Sequence, residues 1–127
     1  NVTVTGCDFV PANANGAVPP LTPGAAISNS SGSTIYGLIF KNNYIKDPSN
    51  QVVWLGQSSQ SVSNVLIEGN VSNNTPTSST AAVVMTSGNN VQVINNIFNG
   101  YAGVASLGSA TNTQVQFNNG TGVSAHS

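Results

Sequence analysis

The chain has 127 residues, a length for one domain, and carries a net charge of −1 from two lysines and three acidic residues. That balance leaves no basic footprint for nucleic acid or for an anionic membrane surface. No apolar run reaches the roughly 18 residues of a membrane-spanning helix.

In chain order, the first predicted element is the strand-like phrase NVTVTGCDF from Asn1, which opens in mid-strand and reads as part of a longer chain. Residues 10–24, VPANANGAVPPLTPG, hold four of the six prolines and predict an irregular surface loop or an arm reaching a neighbour. A short strand AAIS follows at 25–28, and then a second phrase, GLIFKNNYI, from Gly37. A turn is expected at 46–51, a strand VVWLG at 52–56, and a third phrase, NVLIEGNVS, from Asn64. The polar stretch SNNTPTSST at 72–80 predicts a loop before a strand AVVMT at 82–86. The fourth phrase, NVQVINNIF, starts at Asn90 and leads to GVASLG at 103–108. The fifth, NTQVQFNNG, starts at Asn112 and leads to GVSA at 122–125. Proline, glycine and β-branched residues are too dense for a helical period anywhere.

The five phrases begin 36, 27, 26 and 22 residues apart and align in columns. The second column is Val2, Leu38, Val65, Val91 and Thr113; the fourth is Val4, Phe40, Ile67, Val93 and Val115. Alternation with more polar letters marks a strand with one buried face. The sixth column, Gly6, Asn42, Gly69, Asn95 and Phe117, is mostly of residue types that tolerate left-handed backbone, so the chain should turn there. The seventh is Cys7 followed by Asn43, Asn70, Asn96 and Asn118. Each repeat thus holds two or more short strands. A propeller blade needs four strands and about 40 residues, and an immunoglobulin-like sandwich would not reuse one phrase. A parallel β-helix, an all-β solenoid of about five coils, stacks like residues above like. Its stacked asparagines would satisfy one another at a buried turn. Lys41 and Glu68, both in the fifth column, should then meet on the outer face.

The NVxIxxN phrases and the ladder Asn43, Asn70, Asn96 and Asn118 resemble the right-handed parallel β-helix proteins of the pectin-lyase-like superfamily, which includes many bacteriophage tailspikes. The resemblance covers nearly the whole chain and implies the fold; Cys7 and Phe117 depart from it in the outermost coils, where atypical capping repeats are expected. It further implies a parallel homotrimer that binds a bacterial surface polysaccharide, in a virion tail or an extracellular setting. The uncharged polar composition points to the same surroundings.

Enzymes of this kind work with paired carboxylates, cations or bound calcium. Here Asp8, Asp47 and Glu68 are the only carboxylates among the side chains, no two in one column, and no arginine could clamp a uronate. The segment is therefore read as having no catalytic site of its own. An inter-chain groove or further coils could still make the parent a polysaccharide depolymerase. No zinc spacing, phosphate loop or calcium-binding nonapeptide is present, so neither metal nor cofactor is expected. His126 reads as an idle terminal side chain. Cys7 reads as a small buried hydrophobe. Glycosylation triplets start at Asn1, Asn29, Asn70, Asn73 and Asn119, and none is read as used. Tyr36, Tyr44, Trp54 and Tyr101 are the candidate carbohydrate-binding aromatics, each with packing or a trimer contact as its competing role. The 10–24 and 72–80 loops are the other places to look. Alternatives to a tailspike or tail-fibre segment are a fragment of a β-helical lyase or glycoside hydrolase, and a bacterial surface adhesin.

Overall fold

The computed structural model describes residues 1–9, 25–28, 33–46, 51–56, 61–73, 80–120 and 125–126. The strands run β1 (Val2–Thr5), β2 (Asp8–Phe9), β3 (Ala25–Ser28), β4 (Thr34–Lys41), β5 (Tyr44–Lys46), β6 (Gln51–Leu55) and β7 (Ser61–Glu68). They continue as β8 (Val71–Asn73), β9 (Ala81–Met85), β10 (Asn89–Ile94), β11 (Ile97–Asn99), β12 (Gly103–Ser106), β13 (Thr111–Gln116) and β14 (Ala125–His126). Three parallel sheets result. Sheet A is ordered β1-β4-β7-β10-β13, sheet B β2-β5-β8-β11, and sheet C β3-β6-β9-β12-β14. The chain visits A, B and C in turn and returns each time one strand further along. That path is a parallel β-helix of about five coils.

The predicted columns are the observed register. Val2, Leu38, Val65, Val91 and Thr113 pair in succession, and so do Val4, Phe40, Ile67, Val93 and Val115. Leu38, Phe40, Val65, Ile67, Val91 and Val93 are buried and meet Val53, Val83, Leu55 and Met85 of sheet C across the interior. Sheet B contributes the stack Ile45, Ser72 and Phe98. Each phrase is not one strand, however. Its tail, two or three residues after the asparagine, is already the strand of sheet B. Ser72 and Asn73, expected in a loop, end β8 because Ser72 takes an interior place; residues 74–79 of that predicted loop lie outside the described residues, as does 10–24.

The sixth-column turn is left-handed in every coil, with φ of 64° at Gly6, 54° at Asn42, 64° at Gly69, 56° at Asn95 and 55° at Phe117. Directly after it, the asparagine ladder closes. Asn43 Nδ2 donates to Asn70 Oδ1 at 3.0 Å, Asn70 Nδ2 to Asn96 Oδ1 at 3.0 Å, and Asn96 Nδ2 to Asn118 Oδ1 at 2.9 Å. Each Oδ1 also accepts the backbone N–H of the preceding rung, and each Nδ2 reaches a fourth-column carbonyl one coil back, as Asn70 does to Phe40 at 2.9 Å. Nearly every polar group of a buried corner is thereby paired.

A second left-handed column was not foreseen. Gly37, Asn64, Asn90 and Asn112, the first letters of four phrases, all have positive φ, from 52° to 75°. The insertion shifts the parity of the strand. Val62 and Val65, three residues apart, both face inward, where an unbroken strand would bury residues two apart. Asn90 Nδ2 donates to Asn64 Oδ1 at 2.7 Å on the exposed side.

Coil length varies without disturbing either column. The B-to-C connections hold 15, 4, 7 and 3 residues (10–24, 47–50, 74–80 and 100–102), whereas the C-to-A connections hold only 3 to 5.

Candidate functional site

Function on such a scaffold must use the outward letters. Tyr36, Tyr44 and Trp54 all lie in the second coil, but on three different faces: Tyr36 on sheet A, Tyr44 on sheet B and Trp54 on sheet C. Tyr36 is 65% exposed, while Trp54 is half-buried between Ser28 and Val84. Its neighbours Val53 and Leu55 are fully buried, so Trp54 points outward. Tyr101 is only 4% exposed, its hydroxyl 2.7 Å from Ser72 Oγ and its ring edge-on to Phe98. It fills the packing role and satisfies a serine buried in an apolar column. The four aromatics do not converge on one patch.

The expectation for Cys7 is corrected. It is exposed, its thiol donating to Thr5 O at 3.5 Å. It occupies the ladder position of the outermost described coil, where Asn43 takes its N–H from one side and no described coil covers the other. Asn70 is fully buried in the ladder, which leaves no room for a glycan there. Asp8 lies on sheet B and Glu68 on sheet A, two coils apart, so these carboxylates do not form a hydrolytic pair; Asp47 lies outside the described residues. Among the described residues no group of His, Cys, Asp and Glu could hold a metal ion, and no helix is long and apolar enough to cross a membrane. For His126 the structure describes the strand backbone alone.

Two rows remain on the outside. Sheet B carries Tyr44, Val71 and Ile97 in register across three coils, with Lys46, Asn73 and Asn99 beside them. Asn99 Nδ2 donates to Asn73 Oδ1 at 2.9 Å. Sheet A carries Ile39, Leu66 and Gln92 in register. Beside them runs an open groove of about 200 Å³, lined by these three with Asn64, Val65 and Asn90. Lys41 and Glu68 meet at 2.8 Å on the same sheet, as the columns predicted.

No known protein family, curated protein or solved structure matches this chain. Both rows are built from residues 26 or 27 positions apart, which sequence reading by neighbours does not bring together. The signal that could have found the sheet A groove was the third column of the same phrases, whose second and fourth columns gave the core.

Proposed function

We propose that this chain is a receptor-binding scaffold segment of a bacteriophage tailspike or tail fibre, and that its outer faces hold a bacterial surface polysaccharide. The observation that carries the reading is the repetition of the exterior. Like side chains recur coil after coil at the ~4.8 Å strand spacing, and they are amides, hydroxyls and aliphatics rather than charges. A repeating, nearly neutral surface held rigid by a hydrogen-bonded ladder suits a repeating, hydroxyl-rich polymer. It binds through many modest contacts with little ordering cost in the protein. The tailspike reading further implies a parallel homotrimer, and the sheet B row of Tyr44, Val71 and Ile97 is the face it would cover.

The test is a panel of bacterial surface polysaccharides against the purified chain, with light scattering for its mass. Binding to one or more glycans by a trimer is expected. A stable monomer that binds no glycan sinks the proposal.

A further inference from the structure

The groove on sheet A narrows the ligand class, on the reading that the surface binds glycans. Its floor is Ile39 and Leu66, two aliphatic side chains stacked on successive coils, continued by Gln92. Its wall is the left-handed pair Asn64 and Asn90. One hydrogen bond joins that pair, Asn90 Nδ2 to Asn64 Oδ1, which leaves Asn64 Nδ2 as a donor and Asn90 Oδ1 as an acceptor. Among the described residues the Gln92 side-chain amide has no hydrogen-bond partner, so it offers both a donor and an acceptor. The groove therefore presents an apolar floor edged by amides that donate and accept.

Charge decides the class. None of the six lining residues ionises. The nearest cation in the strands that form the groove is Lys41, two residues beyond Ile39, and it is held by Glu68, two residues beyond Leu66, at 2.8 Å. A uronate or sialate placed here would lose water and meet neutral amide donors but no free cation, so its larger desolvation cost is only partly offset. A neutral sugar loses only hydroxyl hydration, and the amides replace it, while its C–H face covers Ile39 and Leu66. Sheet B lacks this combination: its row is apolar, and its polar flank includes Lys46.

We infer that the groove of Ile39, Leu66, Gln92, Asn64 and Asn90 is a binding site for a neutral glycan lying along the coil axis. The experiment titrates the whole chain with two panels, neutral glycans and uronate- or sialate-bearing glycans, at low and high salt. The variants are Leu66→Asp, Gln92→Ala and Trp54→Ala, each checked for an unchanged β-rich circular dichroism spectrum. The expected result is salt-independent binding of a neutral glycan, weakened at least about tenfold by Leu66→Asp and several-fold by Gln92→Ala. Trp54→Ala, on sheet C, should leave it unchanged. Gln92→Ala removes a partly buried amide that has no hydrogen-bond partner among the described residues, so it tests the site even where Leu66→Asp fails to fold. Salt-sensitive binding confined to anionic glycans overturns the inference and leaves the glycan reading standing. So does binding lost in Trp54→Ala but kept in Gln92→Ala. A multimer that falls to monomer in Leu66→Asp makes the groove an interface between copies and also overturns it. Binding to neither panel removes the glycan reading itself.

Discussion

Two columns made mostly of asparagine run along this solenoid, and they carry different loads. In the inner one, Asn70 is fully buried: its Oδ1 accepts from the backbone and side chain of Asn43, and its Nδ2 serves both Phe40 O and Asn96 Oδ1. In the outer one, Asn64 accepts a single side-chain bond from Asn90, in contact with solvent, and its main task is to hold φ at 55°. The same residue type thus serves once as a polar filling for a dry corner and once as a backbone hinge. Asparagine suits both because its amide both donates and accepts, and because it tolerates the left-handed region better than other side chains with a Cβ.

Substitution should separate the two roles. The largest effect is expected from Asn70→Ala, which strips the Asn43 N–H of its partner and removes the donor from Phe40 O. The loss should be on the order of 3–5 kcal/mol in urea unfolding. A loss below about 1 kcal/mol would break the comparison, because the inner column would then be no more than another turn. In the outer column, Asn64→Ala should cost about 1–2 kcal/mol, and Asn64→Gly only a few tenths. Equal costs for the two would show that the Asn90 bond, not the backbone, is what matters there. Phe117 sharpens the point from the other side. It sits 80% exposed at φ 55°, in a column otherwise filled by glycine and asparagine. Phe117→Asn should raise stability by about 1 kcal/mol, seen as a higher urea midpoint. The smallest effect belongs to Glu68→Gln, which breaks the ion pair with Lys41; about 0–1 kcal/mol is expected, shrinking further at high salt.

The inner column was legible because burial enforces its residue type at every coil: Asn43, Asn70, Asn96 and Asn118 line up in letters as they do in space. The strand register followed from it, down to the pairing of Lys41 with Glu68. The outer column was not read, although its letters are as regular. An asparagine ahead of a strand fits a cap or a turn equally well, and only the parity jump from Val62 to Val65 distinguishes a left-handed insertion. The short strands of sheet B were hidden for a related reason: three residues such as Val71–Asn73 are too few to show a period. Cys7 was misplaced because its residue type argues for burial while its position in the outermost described coil decides against it. The candidate site fared worst. Tyr36, Tyr44 and Trp54 look like a cluster when read along the chain. A solenoid winds consecutive residues around its perimeter, so eighteen positions send them to three faces. Residues that share a face here are a whole coil apart.

The unequal B-to-C connections have a consequence for how such a molecule changes over generations. Ladder and hinge columns stay in register whether that corner spans 15 residues or 3, and each doubling of a flexible loop costs only about 0.6 kcal/mol. One corner of every coil is therefore an open reading slot, where sequence can be added, lost or exchanged at little energetic cost. The other connections and both asparagine columns are fixed type. Variation should accumulate at that one edge of the solenoid, and a foreign segment grafted there should leave the rungs on either side paired as before.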